Sequence, residues 1–186
     1  MARGAKQPPK KKHTTKERSV PVVALSDAER EFFADEAEQK AEIHLGEAQA
    51  IANWGNAPNA GLHSAYYSMH FCAVAALYRA GGIGKRKDVP QSHEHVLRHY
   101  ILMSETVEDP FIRQSGMLLN RARDDRMRAD YFIGSDQTIN SGIQGASPEE
   151  ATEAAELAVK FLQAWQDEWN RALPSRLRRP LRQPQA

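Results

Sequence analysis

Apolar residues recur at helical spacing through most of the chain between residues 23 and 173, and no segment sustains the strict alternation of a half-buried strand. Phe32, Phe33, Ala37, Ala41, Ile43, Leu45, Ala48, Ile51 and Ala52 define a first helix. Ser26 and Glu29 form its capping box, and Trp54-Gly55-Asn56-Ala57-Pro58 breaks it. A second helix runs from about Asn59 to Ala80 and stops at Gly81-Gly82; it is apolar nearly all round, the pattern of a central, deeply buried element. Ser92 opens a shorter helix to about Ser104. Asp109-Pro110, a cap followed by proline at the first helical position, opens another through Tyr131. Residues 132–146 read as a Gly/Ser/Asn loop. Ser147-Pro148-Glu149-Glu150 then starts a last helix to about Ala172, which Pro174 ends. These elements predict an all-α, five-helix antiparallel bundle.

Charge adds two arms to this picture. Residues 1–20 carry seven Lys or Arg against Glu17 alone, and residues 174–186 carry Arg176, Arg178, Arg179 and Arg182 with no acid. Taking those 11 bases and 1 acid from totals of 25 and 24 leaves 14 and 23, a body of about −9 hidden inside a net charge of +1. The organisation expected is a disordered basic arm over 1–22, a helical domain over 23–173 and a basic tail over 174–186. A lone cysteine, Cys72, excludes an intrachain disulfide and a cysteine-based zinc site, and FCAVAAL marks it as a buried small hydrophobe. No apolar run approaches the ~20 residues of a membrane span. The N-terminus has no secretory h-region, so a cytoplasmic protein without membrane contact is expected.

Candidate chemistry gathers on three helices. The fourth keeps an apolar stripe at Leu118, Leu119 and Ala122 and then turns charged through Arg121, Arg123, Asp124, Asp125, Arg126, Arg128 and Asp130. Either a partly buried Arg–Asp network at a cleft or subunit interface, or surface pairs such as Asp124 with Arg128, accounts for that. On the second helix His63 and His70 lie two turns apart with Tyr66 and Tyr67 between. Buried, they need polar partners that Arg or Asp of the fourth helix would supply, as a satisfied seam or as a pocket lining. His93, His95 and His99 raise the question of a metal: His95 and His99, four apart, can face one ion, with Glu94 or an aspartate of the fourth helix completing a site, yet no HExxH is present. Lys85-Arg86-Lys87 and the arms suit weak contact with phosphates, but aromatics do not alternate with them, which argues against base stacking there.

SAYYSMHF at 64–71, SHEHV at 92–96 and RMRADYF at 126–132 together resemble the HEPN superfamily, in its prokaryotic branch with an R-x-R-A-D-Y ending. The resemblance covers about residues 30–170. It implies a helical bundle that dimerises through the faces carrying its motif and acts on RNA or a nucleotide. Members are often metal-independent ribonucleases of toxin–antitoxin or phage-defence systems, partnered with an antitoxin or a nucleotidyltransferase. It further implies Arg126, Asp130 and Tyr131 as catalytic residues and Arg126 and Arg128 as phosphate ligands, with no metal and no cofactor; Tyr66, Tyr67 and His70, read as a pocket lining on the second helix, complete the expected phosphate or nucleotide site. The usual active site is an arginine that polarises phosphate and a nearby histidine for proton transfer. This chain departs there: the histidine position holds Ala129, and the fourth helix has no histidine. Two other readings stand beside it, a non-catalytic partner-binding module and a metal-dependent enzyme using His95 and His99.

Removing residues 1–20 and 174–186 is expected to leave the melting temperature nearly unchanged while weakening RNA affinity in a salt-dependent way. A large fall in melting temperature contradicts the disordered-arm reading.

Overall fold

The computed structural model describes residues 25–80, 92–131 and 145–172. The expected arms and the Lys85-Arg86-Lys87 loop lie outside the described residues. Five helices make up the described chain: α1 (Asp27–Trp54), α2 (Pro58–Arg79), α3 (His93–Ser104), α4 (Pro110–Tyr131) and α5 (Pro148–Ala172). No strand occurs among the described residues, so the fold is an all-α bundle.

The helix ends follow from local chemistry. Ser26 accepts from the Glu29 N–H, and the Glu29 carboxylate accepts from the Ser26 N–H at 2.9 Å, which closes the capping box. Gly55 ends α1 in the left-handed region at φ 68°, donating its N–H to the Ile51 carbonyl. The Asp109 carboxylate accepts from the N–H groups of Phe111 and Ile112, and Ser147 with Glu150 repeats the capping box at α5.

The core is organised around α2, which packs against each of the other four helices. From Gly61 to Tyr78 every α2 residue is buried except His63, Tyr67 and Phe71. The buried face of α1 is largely alanine, with Ala34, Ala37, Ala41 and Ala48, and such short side chains allow close helix packing. The α5 stripe Ala151, Ala155, Ala158, Phe161, Leu162 and Trp165 keeps strict helical spacing. No Cα atom of α1 comes within 8 Å of one in α4, so these two helices flank α2 without meeting.

Polar groups inside this core are chained together. Trp165 donates to the Tyr100 hydroxyl at 2.6 Å, and Tyr100 donates to Ser115 at 2.6 Å. Ser115 in turn donates to the Ile112 carbonyl. At the far end of α2, Arg79 lies over the Trp169 ring at 4.1 Å and meets Asp35 at 2.7 Å and Glu38 at 2.9 Å. Gln166 donates to the other Glu38 oxygen at 3.2 Å, so that buried carboxylate is fully partnered. No helix among the described residues is long and apolar enough to cross a membrane.

Two glycines predict opposite responses to the same change. A Cβ on Gly116 would lie 2.7 Å from the Ile101 side chain and 3.1 Å from its Cα, so α3 and α4 must part; on Gly46 it meets nothing within 4 Å. Gly116→Ala is expected to cost about 1–3 kcal/mol of unfolding free energy, against a gain of about 0.5–1 kcal/mol for Gly46→Ala. Denaturant unfolding of both variants checks this.

Candidate functional site

The second half of α4 runs alongside the first half of α2, and their polar residues meet as the sequence pattern anticipates. The Asp130 carboxylate is the shared point. His63 Nδ1 lies 3.1 and 3.2 Å from its two oxygens, and Arg126 Nε is 2.6 Å from Oδ2. The arginine contact is an ion pair by distance, its angle falling outside hydrogen-bond geometry. Helical spacing brings residues 126 and 130 together on one face, and the crossing of α4 on α2 brings His63 to them. Arg126 also lies over the Tyr67 ring at 5.6 Å, and the His63 and Tyr67 rings are 4.6 Å apart. The His63 side chain is 41 % exposed, against 17 % for Arg126 and 23 % for Asp130. His63 meets Asp130 through Nδ1, so its Nε2 lies on the ring edge away from the carboxylate and makes no hydrogen bond among the described residues.

Behind this lies a second, drier layer. Tyr66 is buried and its hydroxyl sits 2.7 Å from His93 Nδ1. The His70 and His93 rings are 4.5 Å apart. Burial pushes the Tyr66 hydroxyl well above its ordinary range, so it stays a donor. Burial first, then the Arg126 and Arg123 charges, lower the His93 pKa. A neutral His93 therefore accepts from Tyr66 at Nδ1 and carries its proton on Nε2. His70 is pushed down to about 3, chiefly by burial and then by His93.

The sequence-derived ligands thus separate into groups. Arg126, Asp130 and Tyr67 come together. Tyr66 and His70 sit beneath them, and His70 presents no positive charge to a phosphate at neutral pH. Arg128 turns toward α5 and pairs with Glu150 at 2.9 Å and Asp125 at 3.7 Å. The Tyr131 side chain lies outside the described residues. Ala129 is 1 % exposed, so a histidine there would have to displace core neighbours. The metal reading finds His95 and His99 ring to ring at 4.3 Å, but no group of three or more metal-ligating side chains able to hold an ion occurs among the described residues.

Three contributors went unassigned in the sequence. His63 was noted only as a member of the α2 seam and His93 only as a possible metal ligand, while His44 on α1 was not singled out. His44 holds Glu47 at 2.8 Å and stacks on Phe71. A signal for His93 was available in principle, since a buried Tyr66 requires an acceptor. No family model, no curated protein and no solved structure matches this chain.

The buried histidine layer predicts an acid sensitivity. The unfolded chain protonates His70 near 6.5 while the folded chain resists to about 3, so stability is whole above pH 6.5 and falls as pH drops toward 3. Between about pH 6.5 and pH 4 the loss is expected to be on the order of 3 kcal/mol, and His70→Gln should remove most of it. Unfolding curves of both proteins across that range measure the difference.

Proposed function

We propose that this chain is a HEPN-like protein that binds RNA or a nucleotide where α2 and α4 meet, and that on RNA it acts as a metal-independent ribonuclease of a toxin–antitoxin or phage-defence system. The observation that carries the reading is the Asp130 carboxylate held between Arg126 and a partly exposed His63. In this mechanism Arg126 holds a non-bridging phosphate oxygen through charge-assisted hydrogen bonds. His63 Nε2 takes the proton of the ribose 2′-hydroxyl, and Asp130 keeps that imidazole in the required tautomer and orientation. The 2′-oxygen–phosphorus bond forms, the phosphorus–5′-oxygen bond breaks, and the departing 5′-oxygen takes a proton from water. His63 thereby fills the proton-transfer role that Ala129 leaves open on α4. A homodimer and an antitoxin or nucleotidyltransferase partner belong to the same proposal through the motif resemblance.

A non-catalytic partner-binding module is the alternative, favoured by the exposure of Leu102 on α3 and Met117 on α4.

Incubation of the purified protein with labelled RNA, with and without chelator, separates the readings. Expected are chelator-insensitive cleavage leaving cyclic phosphate ends, a fall of roughly 10²–10⁴-fold in cleavage for His63→Gln with RNA affinity retained, and weaker RNA binding for Arg126→Ala. The stability cost of Arg126→Ala should stay within roughly 2 kcal/mol, because Asp130 keeps His63. Cleavage abolished by chelator assigns a metal mechanism, binding without cleavage assigns a non-catalytic binder, and absence of RNA or nucleotide binding overturns the reading.

A further inference from the structure

The middle of α2 is buried on every side except one line, and that line is aromatic. His63, Tyr67 and Phe71 follow each other at four-residue spacing and are the only α2 residues between Gly61 and Tyr78 that reach the surface. Solvent-facing helix positions are ordinarily polar, so three successive rings on the one open edge of the central helix ask for an occupant. Tyr67 and Phe71 pack against the core and stay partly exposed.

The line lies between α1 and α4, which do not meet each other, so it forms the floor of a groove. His44 of the α1 wall adds a fourth ring, 5.5 Å from Tyr67 and 5.6 Å from Phe71, nearly parallel to the latter at 3°. A cation stands over the ring toward each end: Arg126 of α4 is 5.6 Å from the Tyr67 centroid, and Lys40 of α1 is 5.6 Å from that of Phe71. Glu47 meets His44, and Asp130 meets His63 and Arg126. Lys40 has no carboxylate partner among the described residues. Partly exposed rings with cations over them offer what a flexible polyanion carrying flat bases uses, aromatic surface for the bases and positive charge for the phosphates, once the mobile Lys40 side chain swings from the Phe71 ring to a phosphate. A duplex, with its bases already stacked on one another, gains nothing from the rings.

We propose that the groove floored by His63, Tyr67 and Phe71 is a track for single-stranded RNA, leading from the Arg126–Asp130 end toward Lys40 and seating bases against Tyr67 and Phe71. The proposal rests on the RNA reading above and extends it by assigning base-seating positions to Tyr67 and Phe71 and by giving the strand's direction away from the phosphate at Arg126. From residue 63 to residue 71 the helix rises about 12 Å, room for a few nucleotides.

The test lies at the Phe71 end, away from the groups that act on phosphate. Fluorescence anisotropy of a short labelled single-stranded RNA, and of the same strand in a duplex, is measured with the full chain carrying Phe71→Leu, Phe71→Trp or Lys40→Gln. Expected are preference for the single strand, a loss of roughly 5- to 100-fold with Phe71→Leu, and retention with Phe71→Trp, which keeps a ring. Lys40→Gln should reduce the slope of log affinity against log salt by about one contact. Circular dichroism melts show whether each variant is folded, and Phe71→Trp guards against a packing defect in Phe71→Leu. Equal affinity for strand and duplex, or a folded Phe71→Leu that binds as the parent does, overturns the track while leaving the Arg126 site standing. A Phe71→Leu that binds RNA normally but sediments as a smaller species assigns the groove to a second copy of the chain and equally overturns it. No RNA binding by the parent protein overturns both this proposal and the reading it rests on.

Discussion

Enclosure of α2 is the constraint on which the rest of the bundle depends. A helix of 22 residues that is buried on nearly every face needs a neighbour on nearly every face, and the other four helices supply them. Burying a large apolar side chain is worth about 1.5–3 kcal/mol, so leaving much of α2 in water would cost more than a domain of this size has to spare. The position of each outer helix is therefore set by which strip of α2 it covers. α1 and α5 cover their strips with alanine-rich faces, and α3 and α4 cover theirs while touching each other at Gly116. What remains is the narrow line His63, Tyr67, Phe71, and the candidate site forms where α4 borders it.

Enclosure also forces polar groups of α2 to find partners in fixed places. Tyr66 and His70 cannot reach water, and His93 at the start of α3 gives Tyr66 its acceptor. Arg79 emerges at the other end of α2 and collects Glu31, Asp35 and Glu38 from α1. The two ends differ in kind. Around Arg79 the acids outnumber the arginine and the guanidinium face is covered by Trp169, an arrangement that ties helices together and leaves little for a ligand. Around Asp130 one carboxylate serves both Arg126 and His63, and the histidine keeps a ring edge at the surface. Only the second arrangement combines charge, a titratable group and access.

Helix existence and limits were legible in the sequence because they are local. Ser26 with Glu29, Gly55, Asp109 before Pro110, and Ser147 with Glu150 each act within one turn, and the helices begin and end beside them. The packing of α2 on α4 was legible as well, since both carry polar residues that a core excludes unless they are matched. Partner identity was not. Tyr66 announces that it needs an acceptor, but His93 is 27 residues away on another helix, and its own neighbours His95 and His99 suggested metal chemistry instead. Glu31, Asp35 and Glu38 look like any solvated helix face until Arg79 arrives from α2.

The aromatic line was hidden for a related reason. Read along the chain, Tyr67 and Phe71 belong to a helix that is apolar all round, and no cation alternates with them. Cations and rings interleave only after folding, when Lys40 comes in from α1 and Arg126 from α4. Periodicity says how many faces of a helix are apolar; it does not say which of them its neighbours leave open. The same geometry bears on Ala129. A small residue at that buried position lets α4 lie close against the bundle, and that close packing accompanies the approach of Asp130 to His63. A histidine at 129 would push the backbone outward and separate that pair. The small residue at 129 and the histidine contact from α2 are then two sides of one packing solution.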